Sequence, residues 1–544
     1  MLALLDTLWF IWMLKYVLFW LYLWQLKEYH IGRFVDHFST FKGRKILFSS
    51  EQAFKLLILF SFLIEGNLFA SSLYVLILVY FVEAAIFLRS IYLKNLKKPV
   101  ITLKTIFLTS VSFAVVILFL VWTLKLGDTA QPVWLLVFDI LTPIIISVIV
   151  LLFQPFFVLL RNNTLARAGE KLGAIKSKSG LKVIAITGSY GKTSTKEFLT
   201  TILSKKFKVL STKAHQNAEI GVAKCILEDL KPEHQIFIAE VGAYNKGKVK
   251  EVCNMLKPKI GIVTGVNEQH MALFGSLENL LSAEGGGELA DALPKDGLLI
   301  VNGDNKYCLD LYKNAKNPPA GGKKAYSVNK GKINSDIWAD SVTADKNSIS
   351  FIALDNPPAG GQEMAHFYVR VLGKHNVQNL LGAILIAKEL GMSFSEIVEA
   401  CKDIKQEQAG MVLKPGKHNL EIIDSSYSAN PDGVFADLEY LKVFGSKKVV
   451  IMPCLIELGD KSGDIHKKIG RKIAEICDLA IITSKDKFEE IKKGAMDTGM
   501  PEKNIKLIEN PQEIFSAVTL FCKSGDAVLL EGRVPAGLVK LLMQ

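Results

Sequence analysis

Apolar and polar positions alternate by two different rules along this chain. Up to about Leu160 the apolar residues come in long runs: Leu2 to Trp24, Ala53 to Ile64, Leu68 to Leu88, Ile101 to Leu124, and Val133 to about Leu160. A helix needs about 20 apolar residues to cross a bilayer. The pattern therefore predicts an α-helical membrane domain over residues 1–165 with about five transmembrane helices. The second run is the shortest and contains Lys55. Pro143 and Pro155 predict kinks in the last run. The first run is too long for a cleavable signal, no small-residue cleavage site follows it, and Trp and Tyr crowd its end.

Beyond Leu181 short β-branched strands alternate with amphipathic helices, which predicts two α/β domains. The first spans residues 180–408, with strands at Lys182–Thr187, Gln235–Glu240 and Lys259–Thr264, short strands within Ala325–Leu372, and closing helices Asn376–Leu390 and Ser393–Ile404. The second spans 409–544, with strands at Leu420–Ile423, Lys448–Met452, Leu479–Ile482, Ile505–Ile508 and Ala527–Leu530, a Rossmann-like pattern. It has no GxGxxG, so no dinucleotide is assigned to it. Residues 166–179 read as a basic linker between membrane and soluble parts. Asn317-Pro318-Pro319-Ala320-Gly321-Gly322 recurs at 356–361. Pro and Gly at that density predict loop insertions, with a partner-binding motif as the other reading.

Composition agrees with this division. Half of the 544 residues are hydrophobic, and the formal net charge is +12. Residues 1–160 hold 13 Lys/Arg and 8 Asp/Glu against 52 and 45 in the remainder. Disordered, collagen-like and small disulfide-scaffold classes are excluded. No dense basic tract interleaved with aromatics occurs, so nucleic acid is not an expected partner. The seven cysteines all lie beyond Leu160 and form no CxxC, so buried thiols are expected rather than a disulfide framework or a zinc site.

The basic excess near the apolar runs predicts topology instead. Lys27, Arg33, Lys42, Arg44 and Lys45 follow the first run, Arg89, Lys94, Lys97 and Lys98 the third, and Arg161, Arg167, Lys171, Lys176 and Lys178 the fifth. The intervening loops, Glu65-Gly66-Asn67 and Lys125 to Gln131, are poor in positive charge. Five crossings from an outside N-terminus would make this a multi-pass protein of the cell inner (plasma) membrane, with its soluble domains in the cytoplasm. Asp6, Glu83 and Asp139 lie in or near apolar runs. Such carboxylates either carry function or face headgroups near a helix end.

The chemistry is concentrated after the first soluble strand. Gly188-Ser189-Tyr190-Gly191-Lys192-Thr193-Ser194-Thr195 follows Lys182–Thr187 and opens a helix to Leu203. Glycines allow backbone N–H groups to approach phosphate oxygens, and the helix N-terminus adds positive potential. Lys192 can reach terminal phosphates, and the Thr193 hydroxyl can face Mg²⁺. The spacing, GxxGKT, is shorter than the usual phosphate loop. Glu240 ends one later strand, and Asn267 and His270 follow another. A carboxylate and an imidazole there suit a divalent metal beside a nucleotide.

These residues belong to a longer ordered set: TGSYGKTSTK (187–196), Asn217-Ala218-Glu219-Ile220-Gly221, Glu240-Val241-Gly242-Ala243, Asn267-Glu268-Gln269-His270 with Phe274-Gly275-Ser276, Asn302-Gly303-Asp304, and Gly373 to Asn379. Further along come Asp424-Ser425-Ser426-Tyr427-Ser428-Ala429-Asn430-Pro431 and Glu457-Leu458-Gly459 with Ser462 and His466. Over residues 180–544 the set resembles the Mur ligases. It is most similar to their MurF type, which adds D-alanyl-D-alanine to the UDP-N-acetylmuramoyl tripeptide. The resemblance implies an ATP- and Mg²⁺-dependent amide ligase working through an acyl phosphate, with a small-molecule or lipid-linked peptidoglycan precursor and D-Ala-D-Ala or another amine as substrates. It implies catalytic roles for Lys192, Glu240 and His270, metal contacts for Thr193, Glu240 and His270, and phosphate contacts for Gly188, Ser189, Gly191, Lys192, Thr193 and Ser194. Asn302, Asp304, His375, Asn376 and Asn379 align with positions around adenine and ribose, and Asp424, Tyr427, Asn430 and Pro431 with residues of a closing last domain.

Three departures stand out. The family's A-K-x-E stretch, whose lysine is carbamylated and helps hold a second metal, is replaced by Ser282-Ala283-Glu284-Gly285-Gly286-Gly287-Glu288. Glu284 or Glu288 either substitutes as a metal carboxylate or is a solvated helix residue. The family's Gly-Arg at the start of the last domain is replaced by Ala409-Gly410-Met411, with Lys414 the nearest basic residue downstream. Apolar helices stand where MurF enzymes carry a uridine-nucleotide domain, which leaves two readings: membrane anchoring of the ligase, or delivery of a lipid-linked substrate. Glu531-Gly532-Arg533 ends the last strand, where Arg533 either meets a substrate carboxylate or a surface acid. Outside the leading reading stand a Mur-type ligase for another substrate, lipid-linked or poly-γ-glutamate-like, and an ATP-binding membrane scaffold.

Overall fold

The computed structural model describes all residues except 48, 63–66, 214–215, 269, 317, 319–321, 329–334, 356–360, 427–428 and 544. Its contacts divide the chain into two compact units, Met1–Asn162 and Asn163–Gln544.

The first unit is entirely helical among the described residues. Helices Leu2–Leu26, Asn67–Tyr92, Leu103–Thr123 and Ala130–Leu152 follow the long apolar runs. Four stretches are long and apolar enough to cross a membrane among the described residues, the last continuing to Ser179. The second predicted run instead forms a helix of 12 residues, Ser50–Ser61, about 18 Å long and so shorter than a hydrocarbon core. It packs against helices Asn67–Tyr92 and Ala130–Leu152. The unit turns large apolar side chains outward, with Leu118 69% and Leu152 70% exposed. Polar groups lie within it. Lys55 Nζ sits 2.5 Å from Asp139 Oδ2 and 2.8 Å from Glu83 Oε1. Asp139 also accepts from Trp12 Nε1 at 3.0 Å and from the Tyr80 hydroxyl at 3.1 Å. Of the two readings for the intramembrane acids, the headgroup-facing one therefore fails for Glu83 and Asp139. Asp6 accepts a hydrogen bond from Gln131 at 2.8 Å.

Helix Gln154–Ser179 belongs to both units. Its second half covers the predicted linker. Leu165, Ala168, Leu172 and Ile175 are buried there in the same core as Val183 and Ala185, so the segment is a packed part of the second unit rather than a spacer.

The second unit contains two sheets. The first has nine strands: β1 (Lys182–Thr187), β2 (Val209–Ser211), β3 (Ile236–Glu240), β4 (Ile260–Val263), β5 (Leu298–Asn302), β6 (Lys323–Ser327), β7 (Ile337–Ala344), β8 (Ile349–Asp355) and β9 (Glu363–Val369). Their order is β2-β3-β1-β4-β5-β6-β7-β8-β9. Neighbours are parallel as far as β7, and β7-β8-β9 are antiparallel. Strands β3 and β4 are buried along their whole length, as continuous apolar strings in parallel sheets require. The second sheet has six: β10 (Val412–Pro415), β11 (Glu421–Ser425), β12 (Lys448–Met452), β13 (Leu479–Ile482), β14 (Ile505–Leu507) and β15 (Ala527–Glu531), ordered β10-β11-β15-β12-β13-β14. All its pairs are parallel except β10-β11. The alternation did not predict β2, β5 or β10; β2 and β10 are edge strands three and four residues long, and β5 is an interior strand between β4 and β6. Most of the two Asn-Pro-Pro-Ala-Gly-Gly copies lies outside the described residues.

Candidate functional site

The site gathers where β1, β3, β4 and β5 end, the position at which an open parallel sheet offers its helix N-termini. β1 runs into Gly188, and helix Lys192–Leu203 starts after Gly191. The two glycines have φ of +138° and +76°. At Gly188 a Cβ would stand 2.5 Å from Thr264 Oγ1 and 2.9 Å from the Gly265 carbonyl oxygen, so only glycine lets the loop lie against the end of β4. Ser189 N–H donates to the Gly265 carbonyl at 2.7 Å, pinning the loop. The Lys192 ammonium folds back over this loop, donating to the Gly188 carbonyl and, at 3.2 Å, to that of Ser189.

On one side of the loop stands Glu240, which is almost wholly buried. Both its oxygens lie 3.1 Å from the Thr193 hydroxyl. Asn217 Nδ2 donates to it at 3.2 Å, and the fully buried Lys196 ammonium lies 3.4 Å away. In the sequence, Lys196 and Asn217 stand out only as parts of motifs. Lys196 follows a phosphate loop on an amphipathic helix, and nothing in its local pattern marks it as an interior partner of Glu240.

On the other side stands Glu284. Its Oε1 lies 2.9 Å from His270 Nδ1, and its Oε2 accepts from the Ser189 hydroxyl at 2.9 Å. Burial pushes this carboxyl up, but the charges of His270 and Lys192 and the two hydrogen bonds outweigh it and hold it below the usual carboxylate value. Glu288 does something different. It accepts from the backbone N–H of Gly247 at 2.6 Å and of Lys250 at 2.8 Å, capping helix Lys248–Leu256. Neither residue is a solvated helix carboxylate, since both are buried. His270 thus meets Glu284, with Glu457 Oε2 3.9 Å from its other nitrogen. Glu240 meets Thr193. Among the described residues no three His, Cys, Asp or Glu side chains converge on one metal position. A Mg²⁺ ion bound here would draw its remaining ligands from phosphate oxygens and water, which is its habit.

Beside β5, Asn302 Nδ2 donates to the Thr264 carbonyl at 2.9 Å, and Asp304 Oδ2 accepts from Val328 N–H at 2.7 Å and Gln378 Nε2 at 3.2 Å. Asp304 Oδ1 is buried without a hydrogen-bond partner among the described residues. Asn376 and Asn379 are interior. Asn379 Nδ2 donates to Asn376 Oδ1 at 3.0 Å, and Asn379 Oδ1 lies 3.5 Å from the Thr195 hydroxyl. They join helix Asn376–Glu389 to the phosphate-loop helix. His375 is also enclosed. Burial holds its imidazole below the usual histidine value, and its Nδ1 has no partner among the described residues. Ser194 donates to the Ala409 carbonyl at 3.3 Å.

The last domain reaches the same place. Asn267 Nδ2 lies 2.7 Å from Asp432 Oδ2 and 3.4 Å from Asn430 Oδ1, and Lys461 pairs with Glu268 at 2.6 Å. Asn430 caps helix Pro431–Tyr440 by accepting from Gly433 N–H at 3.0 Å. Asp424 is engaged by Lys414 at 3.0 Å and by the Ser426 hydroxyl at 2.6 Å, so Lys414 serves this carboxylate. Tyr427 lies outside the described residues. His466 is fully buried and spent on the backbone, accepting from Leu455 N–H at 2.9 Å and contacting the Ser462 carbonyl at 2.6 Å. Arg533 is exposed and has no ion pair among the described residues.

The arrangement is a phosphate cradle with a carboxylate on each flank, facing a second α/β domain. The known proteins it resembles carry the same two parts. The family model for the Mur ligase middle domain matches residues 186–387, and that for the Mur ligase glutamate ligase domain matches residues 411–534. The UDP-N-acetylmuramoyl-tripeptide–D-alanyl-D-alanine ligase of Escherichia coli (strain K12) is 27% identical over 312 residues, 57% of this chain and 66% of that one. The enzyme of the same name from Borreliella burgdorferi is 30% identical over 315 residues, 57% of this chain and 64% of its own. This chain therefore spans slightly less than two thirds of either relative. A crystal structure of MurF from Acinetobacter baumannii superposes with a TM-score of 0.58 at 26% identity, covering 68% of this chain and 78% of that one. With its two sheets lying where both domain models match, and in their order, the chain belongs to the Mur ligase family.

Proposed function

We propose that this Mur-type ligase adds D-alanyl-D-alanine to a muramoyl-tripeptide precursor of the cell wall, using ATP, while its apolar helices hold it in the plasma membrane; the need for ATP, and not the count of four long apolar stretches, is what assigns the ligase domains to the cytoplasm. The observation that carries the chemistry is the phosphate loop flanked by Thr193 with Glu240 and by His270 with Glu284. The named relatives, all of the D-alanyl-D-alanine-adding type, support the substrate.

The reaction balances in two steps. A carboxylate oxygen of the tripeptide attacks the γ-phosphorus, the bond to the β,γ-bridging oxygen breaks, and ADP leaves. The amine of D-alanyl-D-alanine then attacks the acyl carbon, phosphate departs with the bonding pair, and the nitrogen loses a proton. Charge on the transferring phosphoryl group has to be neutralised in place. Lys192, released from the two loop carbonyls, is within reach of the terminal phosphates. The Thr193 hydroxyl and the Glu240 carboxylate would hold Mg²⁺, which when bound neutralises phosphate charge. Lys196 and Asn217 keep Glu240 aimed at Thr193. Glu284 supplies, as a side chain, a carboxylate where the family uses a carbamylated lysine, and His270 orients it. The contacts Asn267–Asp432 and Glu268–Lys461 bring the last domain over the loop, excluding water from an acyl phosphate that would otherwise hydrolyse.

A second reading, a lipid-linked acceptor, is favoured by the helical unit, because in chain order it takes the place of the uridine-nucleotide domain that the resemblance implies. The test is a product assay on the detergent-purified full chain with ATP, Mg²⁺, UDP-N-acetylmuramoyl tripeptide and D-alanyl-D-alanine, read by mass spectrometry. The expected result is the joined pentapeptide, absent with Lys192→Ala. ATP binding without that product, and product only from a lipid-linked tripeptide, would transfer the assignment to the second reading.

A further inference from the structure

One end of the helical unit contains a cation in an unusual setting. Gln25, at the end of the first helix, is tied to Val100, just before helix Leu103–Thr123, by bonds of 3.0 Å to its carbonyl and 2.6 Å from its N–H. That junction places Lys104 beside the start of helix Gln154–Ser179. Its ammonium stands 3.7 Å from the centre of the Tyr29 ring and 4.6 Å from that of Phe157, and its one hydrogen bond goes to Gln154 Oε1 at 3.3 Å. No acid pairs with it among the described residues. The Tyr29 hydroxyl is buried and has no hydrogen-bond partner among the described residues. Glu28 and Tyr29 both adopt left-handed backbone, with φ of +55° and +57°, a costly conformation for non-glycine residues that fixes the phenol under Lys104.

The half-buried cation, set on two ring faces with no carboxylate beside it among the described residues, calls for an anion. The surroundings say which kind. Lys27, Lys97 and Lys98 lie in the segments just before and after these helices in the sequence. Immediately below Lys104 the surface turns apolar. Phe107 meets Phe153 and Phe157 edge to face and Phe156 at a tilt, with ring centres 4.9 Å, 5.8 Å and 6.2 Å apart, and Phe107 and Phe156 remain exposed. A free anion has no use for that face. An amphiphile, with its phosphate at the cradle and its chain along the phenylalanines, matches both halves. Basic pockets between helices at a membrane surface bind lipid headgroups in this way.

We propose that Lys104, Tyr29 and Phe157 form a binding site for the phosphate of a membrane lipid. The site does not depend on the ligase reading. The full chain, delipidated in neutral detergent, would be offered phosphatidylglycerol, phosphatidylcholine, a polyprenyl phosphate and inorganic phosphate, with retention read by native mass spectrometry. Phosphatidylglycerol or the polyprenyl phosphate should be retained over phosphatidylcholine, and inorganic phosphate should not displace them. Lys104→Gln should cut retention about five-fold, the worth of one interfacial cation. At high salt the loss at Lys104 should persist, whereas any loss with the exposed Lys98→Gln should vanish by screening. Unchanged thermal unfolding of both variants would show that the site, not the fold, was removed. Retention of the polyprenyl phosphate alone would identify a substrate-like lipid as the source, and retention of both a general headgroup. Equal retention of phosphatidylcholine, displacement by inorganic phosphate, or equal losses for Lys104→Gln and Lys98→Gln at high salt would each overturn the proposal.

Discussion

Glu284 Oε1 lies 2.9 Å from His270 Nδ1, and the same carboxylate takes the hydroxyl of the phosphate-loop residue Ser189 through its other oxygen. One side chain therefore links the loop after β1 to the segment after β4. A glutamate is a permanent carboxylate, whereas a lysine becomes one only by adding carbon dioxide. Turnover of this chain should be unchanged when bicarbonate and carbon dioxide are stripped from the buffer. Glu284→Gln, which keeps the size and loses the charge, should lower kcat about 10- to 100-fold, the usual effect of disturbing a metal site's supporting shell, with a smaller change in KM for ATP. A loss of activity on stripping carbon dioxide, restored by bicarbonate, would show that this reading of Glu284 is wrong.

The Thr193–Glu240 pair gives a prediction that separates metal from phosphate binding. Thr193→Val keeps the shape and removes the hydroxyl that both Glu240 oxygens approach at 3.1 Å. Nucleotide affinity measured with Mg²⁺ should fall about ten-fold, roughly the value of one charge-assisted hydrogen bond, and affinity measured in EDTA should stay as in the unaltered protein. Equal losses in both conditions would mean that Thr193 serves the loop rather than a metal.

These two pairs show what the chain discloses before it folds and what it does not. The glycines, Lys192 and Thr193 are legible because a phosphate loop is local: strand, turn and helix follow one another in sequence. Strands β1, β3 and β4 are legible for the same reason, as short β-branched strings buried on both faces. Glu284 and Glu288 are not separable in the sequence, although they stand four positions apart in one glycine-rich stretch. Gly286, at φ +86°, turns the chain between them, so that one enters the site and the other caps a helix. Lys196, Asn217 and Glu240 meet only because β3 pairs with β1. In the helical unit, run length predicts the long helices. The partners of Lys55, Glu83 and Asp139 depend on interhelical packing, which no single run encodes. The second half of helix Gln154–Ser179 reads as a linker because its charges mask the spacing of Leu165, Ala168, Leu172 and Ile175.

Glu531 predicts an unusual pH dependence. It ends β15, both its oxygens are buried, and it sits in register with Ser425 of the adjacent strand. The Ser425 hydroxyl in turn donates to Asp437 at 2.5 Å. Burial first, and the Asp437 charge second, push the Glu531 carboxyl well above the usual carboxylate range. A group that holds its proton more tightly in the folded chain contributes stability that is fully present below its unfolded value. That contribution is lost as pH rises towards the folded value, at up to about 1.4 kcal/mol per pH unit. Glu531→Gln should match the unaltered protein in thermal stability near pH 4.5, the ordinary glutamate value, and become progressively the more stable of the two as pH rises. Parallel melting curves across that range would show that Glu531 does not titrate this way.

The buried ions of the helical unit support a prediction about how that unit holds together. Lys55 is 1% exposed and Asp139 fully buried, and they come from a short helix and a long one. Removing one partner of such a pair strands the other charge, which costs about 3–5 kcal/mol, whereas replacing all the charges together is often close to neutral. Lys55→Met leaves both Asp139 and Glu83 without their cation, so it should lower the stability of the helical unit in micelles by that amount. The triple variant Lys55→Met, Glu83→Gln, Asp139→Asn should recover most of the loss. The amide introduced at position 139 would still accept from Trp12 and Tyr80, and the short helix would still pack by its apolar contacts. If the single variant lost less than about 1 kcal/mol, the value of a solvated pair, these charges would be in contact with water and helix Ser50–Ser61 would lie at the surface of the unit. If the triple variant were as unstable as the single one, the hydrogen-bonded cluster itself, rather than charge balance, would fix that helix in place.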